Sequence, residues 1–135
     1  MKLAVFACML MVLPFLAEAG SCVGKRVDVW VIKGHDLTGD GLQSPDPYVI
    51  VRIGSDTKKT RIISSDAYPV WYQKLHFQRA STDLMKIEVW DADTLTNDDH
   101  LGTCLEPMES GGTQWHPIVC KTDDGGDVKL FYKCF

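Results

Sequence analysis

The chain has 135 residues, the length of one domain, and carries a net charge of −4 at neutral pH. That balance argues against a general nucleic-acid binder, which needs a basic face. Four cysteines lie beyond the first twenty residues, Cys22, Cys104, Cys120 and Cys134. An even count in a short chain points to disulfides and leaves three pairings open. A four-cysteine zinc site would need close Cys-x-x-Cys pairs, and these four form none.

The chain opens on MKLAVFACMLMVLPFLAEAG. Lys2 is a short positive region, residues 3–17 are apolar, and Ala17-Glu18-Ala19 is a small-x-small cleavage signal. This predicts a secretory signal peptide over residues 1–19, cut after Ala19, which takes Cys8 with it. The apolar run is shorter than the roughly 20 residues that span a bilayer. One soluble, secreted, extracellular domain is then expected over residues 20–135. There is no Asn-x-Ser/Thr, so N-glycosylation is not expected.

The rest reads as β throughout. RVDVWVIKG (26–34) alternates Val27, Val29 and Val31 with polar or larger residues. PYVIVRIG (47–54) puts Val49, Val51 and Ile53 on one face, and KKTRII (58–63) is a basic, β-branched run. YQKLHFQ (72–78), MKIEVWD (85–91), HLGTCL (100–105), TQWHPIVC (113–120) and DVKLFYKC (127–134) complete eight candidates. Turn residues separate them, and many short alternating strands at this spacing predict an antiparallel β-sandwich. Trp30 and Trp90 fall on the opposite parity from the neighbouring valines, which puts them on an outer face or near a loop end.

Two groups of aspartates stand at strand ends. Asp40 and Asp46 lie in TGDGLQSPDPY, between the first two strands. Asp91, Asp93, Asp98 and Asp99 lie in WDADTLTNDD, after the fifth. Carboxylates this close repel unless a cation offsets them, and calcium takes six to eight oxygen ligands with tolerant geometry. D-x-D-x5-D paired with D-x5-D therefore predicts a calcium site. An EF-hand is excluded, because its loop has other spacing and flanking helices. Asp56, Asp66, Asp83, Asp123, Asp124 and Asp127 read as turn residues whose side chains bond the local backbone.

These motifs resemble a known family. LTGDGLQSPDPYVIVRI looks like the first calcium loop and following strand of a C2 domain. YPVWYQKLHF resembles that family's N-P-x-W-x-x-x-F-x-F segment, with Tyr68 in place of Asn, and KIEVWDADTLTNDDHLG resembles its third calcium loop. The likeness runs over about residues 26–133, and within the family it is to the C-terminal C2 domain of perforin, without the pore-forming domain. It implies an all-β, eight-stranded antiparallel sandwich of type II topology that binds two or three Ca²⁺ ions at one end. Carried over residue by residue, the ligands are Asp40, Asp46, Asp91, Asp93 and Asp99, with the carbonyls of Gly39 and Ala92. Thr96 stands where some members use a serine ligand, and Asp98 adjoins the last ligand. The resemblance also implies a Cys104–Cys120 bridge, which leaves Cys22 for Cys134.

The same resemblance puts Leu95 at the membrane-inserting tip; Leu42 is the apolar residue of the other loop, and Tyr68 suits the headgroup level, as aromatic residues do. Lys58, Lys59, Arg61 and Lys74 resemble a polybasic patch for anionic headgroups, although edge-strand lysines that block aggregation are the favoured reading. His35, His76, His100 and His116 have no zinc or catalytic spacing, and no nucleophile elbow, H-E-x-x-H or P-loop is present. The expectation is a secreted, calcium-dependent phospholipid-binding module that is not an enzyme, acts on no small-molecule substrate, and serves innate defence by coating or agglutinating microbes or damaged cells. The alternative is a calcium-dependent lectin, since calcium also binds sugar hydroxyls.

Overall fold

A computed structural model describes residues 20–39, 41–111 and 114–135. The signal segment and Asp40 lie outside the described residues.

Eight strands form: β1 (Val27–His35), β2 (Pro47–Ile53), β3 (Asp56–Lys59), β4 (Val70–Phe77), β5 (Leu84–Asp91), β6 (Asp99–Pro107), β7 (His116–Lys121) and β8 (Asp127–Cys134). They make two four-stranded sheets, ordered β4-β1-β8-β7 and β3-β2-β5-β6, with every pair antiparallel. The first and last strands are neighbours, and the β1–β2 connection carries the first aspartate loop, which is the type II order.

The alternation explains the layering. Val27, Val29 and Val31 of β1, Val49, Val51 and Ile53 of β2, and Ile87 and Val89 of β5 are all buried between the sheets. Each such side chain contributes about 1.5–3 kcal/mol on leaving water. Trp71 is the largest fully buried side chain. Its indole N–H donates to the Arg61 carbonyl at 3.1 Å, and the Arg61 guanidinium donates back to the Trp71 carbonyl. This exchange closes the corner between the two sheets.

Strand β3 differs from its predicted span, ending at Lys59 where 58–63 was expected. Thr60 is the reason. Its N–H donates to the Val49 carbonyl at 2.9 Å and its Oγ1 accepts the Val49 N–H at 3.0 Å, so one residue occupies both of Val49's backbone groups. The chain beyond it peels away from the ladder.

A bulge shapes the outer face of the first sheet. Val31 pairs with Gln73 but Lys33 with Val70, and Tyr72 within this shift has a φ of 44°. A left-handed backbone costs a non-glycine residue about 1–2 kcal/mol. It turns the Tyr72 ring onto the outer face, 6.5 Å from Trp30. Trp115 and Phe131 approach the same indole at 5.9 and 6.3 Å, and Lys74 stands over it. Trp90 is half-buried on the other outer face, as its parity predicts, with its N–H on Glu88.

Both expected disulfides form. Cys22–Cys134 joins the residues before β1 to the end of β8, with Cα atoms 5.8 Å apart. Cys104–Cys120 links β6 to β7, and so the edge of one sheet to the edge of the other, at 5.7 Å. Asp83, predicted as a local turn residue, instead accepts from the backbone N–H of Cys22 at 2.6 Å and from the Ser21 hydroxyl.

Candidate metal centre at the loop end

Antiparallel pairing brings three connections to one end: residues 36–46, 60–69 and 92–98. Backbone hydrogen bonds stitch them together. Leu37 N–H donates to Ala67 C=O, Asp66 N–H to Pro45 C=O, and Ala92 N–H to Asp46 C=O. A Cβ on Gly39 would strike the backbone of residues 43–45, so the first loop folds back on itself there.

Within this frame Asp91, Asp93 and Asp99 each bring a carboxylate oxygen within 4.8 Å of the others. The ladder dictates this. Asp91 and Asp99 are directly paired across β5 and β6, and Asp93 follows Asp91 by two residues. Like charges directly opposite each other are destabilising. Two oxygens that share one Ca²⁺ lie at most about 5.2 Å apart, and each pair in the trio meets that condition. The donor set is hard oxygen throughout, which suits calcium and lacks the nitrogen or sulfur that zinc prefers. The trio therefore fits the ion that the sequence implies.

Two neighbouring aspartates brace the trio. Asp46 donates its backbone N–H to Asp91 Oδ1 at 2.8 Å, and its own Oδ1 accepts from Ser65 N–H at 2.6 Å. It adjoins the trio and locks two loops together. Asp98, placed among the ligand candidates by sequence, stands outside the trio. One oxygen accepts from the Asp93 N–H at 3.0 Å and the other from the Tyr48 hydroxyl. These hydrogen bonds hold the Asp98 carboxyl below its ordinary range. Burial, and then Asp98, push Tyr48 up to about 12. Tyr48 was not singled out from sequence, yet its place two residues after Asp46 and its outward parity carry the signal.

Ala92 is half-buried and Thr96 exposed on the 92–98 connection. Leu42 and Leu95 have relative exposures of 106% and 96%, so neither packs back on its loop. Tyr68 is more than half exposed, with its ring edge-on to His35 at 5.2 Å.

The four basic residues grouped in the sequence come from the adjoining edges of the two sheets. Lys58 and Lys59 are exposed on edge strand β3, with Lys59 over the Tyr48 ring. Arg61 is committed to β4, through the Trp71 carbonyl and Gln73. Lys74 lies on the outer face of the other sheet, over Trp30 and Trp115.

The family profile described as C2 domain matches residues 25–118. Protein C2-DOMAIN ABA-RELATED 11 of Arabidopsis thaliana is 36% identical over 96 residues, covering 68% of this chain and 58% of its own length. Perforin-1 of Rattus norvegicus is 31% identical over 100 residues, covering 72% of this chain and 17% of its own. The chain thus spans less than two thirds of either relative. A solved structure described as "Structure of a C2 domain" superposes with a TM-score of 0.73 at 26% identity, over 82% of this chain and 97% of that one. A calcium-bound structure of Extended-Synaptotagmin 2 superposes at 0.69 and 21% identity, over 83% and 46%, a likeness of fold. With the family profile matched over more than half its length, and with the fold of these solved domains, the chain belongs to the C2 domain family.

Proposed function

We propose that this chain is a secreted module that binds phospholipid membranes when calcium is present. The observation that carries the reading is the pair of fully exposed leucines, Leu42 and Leu95, on the two loops that meet at the carboxylate trio. A soluble domain gains nothing from such tips in water. Each offers about 1.5–3 kcal/mol when it leaves water for a bilayer.

Charge supplies the switch. Asp91, Asp93 and Asp99 repel an anionic surface, and Asp46, whose backbone N–H bonds Asp91, adds to the local negative charge. Bound calcium supplies positive charge there and coordination positions for phosphate oxygens. The chain's own part is to hold the carboxylates at fixed spacing, through the Asp46–Asp91 and Asp93–Asp98 hydrogen bonds, and to aim the leucines outward. This requires no refolding. Affinity for the ion need only suit extracellular conditions, at about 10⁻⁴–10⁻³ M. The likeness to perforin-1 supports a further step, that the module marks microbes or damaged cells in innate defence.

Liposome co-sedimentation across a calcium titration tests the reading, with anionic and zwitterionic vesicles in parallel. Calcium-dependent pelleting is expected. Binding to glycans and not to vesicles, in the same calcium, would replace it with the lectin reading.

A further inference from the structure

On the outer face of the β4-β1-β8-β7 sheet, beside the loop end, is a cavity of about 450 Å³. It is lined by Lys33, His35, Tyr68, Val70, Asp127 and Lys129. The volume lies within the range of small-molecule sites, about 300–1,000 Å³. None of these residues belongs to the carboxylate trio, and the calcium-dependent reading does not use the cavity.

Its charges are arranged in an unusual way. Lys33 and Lys129 are direct cross-strand partners on β1 and β8, both exposed on the same face. Like charges directly opposite each other destabilise a sheet. Among the described residues neither lysine has a carboxylate within ion-pair distance. An anion between them offsets the repulsion. Two residues along β8 from Lys129, on the same face and about 7 Å away, is Asp127. Its Oδ1 is shielded from solvent and receives no hydrogen bond, so that oxygen is left for a ligand group to approach. A cation beside it has the corresponding advantage. The remaining walls are Val70, paired with Lys33, and the His35 ring, paired with Asp127 and edge to face with Tyr68. An aromatic face attracts a quaternary ammonium.

We propose that this cavity binds a zwitterion of the phosphocholine type, with its phosphate on Lys33 and Lys129 and its ammonium against Asp127 and Tyr68. The two poles need a ligand whose opposite charges are joined by a short link. A phosphate or a sugar satisfies only part of the cavity. The site works without calcium. It goes beyond the calcium-dependent reading and stands or falls separately from it.

The test is amide chemical-shift titration of the whole secreted domain, in chelator, with phosphocholine and with inorganic phosphate. Phosphocholine is expected to shift residues 33–35, 68–70 and 127–129 at lower concentration than inorganic phosphate does. Lys33→Gln and Lys129→Gln should each weaken phosphocholine by about tenfold, the loss of one charged hydrogen bond. Asp127→Asn should bring the two ligands to similar affinity, which a merely structural aspartate would not do. The double variant Asp91→Asn, Asp93→Asn should keep the shifts while losing any calcium response. Phosphatidylcholine vesicles in chelator separate the sources. Recruitment assigns a lipid headgroup, and binding of free phosphocholine alone assigns a soluble or polymer-borne one. Equal response to phosphocholine and phosphate in the unaltered domain would overturn the proposal. So would shifts confined to the 92–98 loop.

Discussion

The sheets and the loop end of this molecule treat carboxylates in opposite ways. On the outer sheet faces Asp28 and Glu88, the acids that are buried there among the described residues, each have a cation of their own. Asp28 receives Arg26 at 3.0 Å and stands 2.8 Å from His76, and Glu88 receives Arg52 at 2.5 Å and the Trp90 indole at 3.1 Å. At the loop end three carboxylates gather within 4.8 Å of one another. The difference teaches what to expect from substitution. A change in the sheets should cost stability and leave the response to calcium intact. A change at the loop end should do the reverse.

The largest effect expected is in the scaffold. Replacing Cys22 and Cys134 by serine frees a loop with a sequence separation of 112, against 16 for Cys104 and Cys120. In the chain-entropy model these bridges are worth about 4.7 and about 3 kcal/mol. Chemical denaturation of the two double variants should rank them in that order, each with its calcium response retained. A larger loss from the shorter bridge would show that strain or residual structure, not loop length, decides. At the loop end the double change Asp91→Asn and Asp93→Asn should abolish the rise in Tm that calcium gives the unaltered domain. That rise corresponds to about 2.7 kcal/mol at a hundredfold excess over Kd. The apo variant should melt no lower than apo wild type, because repulsion has been removed. A lower Tm in chelator would mean that the trio holds the loops together and that the comparison is wrong there.

Leu42→Ala and Leu95→Ala refine the same contrast. Each should weaken calcium-dependent vesicle binding by up to about 1.5–3 kcal/mol with unchanged folding stability, since both side chains are already in water. Wild-type vesicle binding by both variants would move the membrane contact elsewhere. Much of this was legible in the sequence, and for a definite reason. Strand periodicity is local, so the valines of β1 and β2 announced their faces, and D-x-D at a strand end announced the trio. What escaped depends on register between distant strands. Lys33 meets Lys129, and Asp127 starts a strand beside a cavity, only because β1 pairs with β8. Lys58 and Lys59 lie close to Lys74 in sequence, but the chain crosses from one sheet to the other between them, which periodicity alone does not reveal. Asp98 was read as adjoining the last ligand, and its bond from the Tyr48 hydroxyl, fifty residues earlier in the chain, could not be read from local spacing.

The smallest effect expected concerns pH, and it separates the two kinds of acid. Burial by itself raises the pKa of Asp28, but hydrogen bonds and charge from His76 and Arg26 outweigh it and hold the group below its ordinary value. Glu88 is held low in the same way, with Arg52 and Trp90 outweighing burial. A carboxyl whose folded pKa lies below its unfolded one binds fewer protons when folded. Its stabilising contribution is therefore complete above the unfolded pKa, about 4 for an aspartate, and is lost as pH falls through the folded value. Stability of the calcium-free domain should fall as the medium is acidified below about pH 4, and Asp28→Asn should flatten part of that fall. Because Arg26 is half exposed, solvent and salt screen its share, and the difference should be modest. Denaturation curves for wild type and variant from pH 6 downward check this. If Asp28→Asn lowers stability equally at every pH, the side chain matters for shape and hydrogen bonding rather than charge, and the contrast between paired acids on the sheets and gathered acids at the loops loses its electrostatic basis.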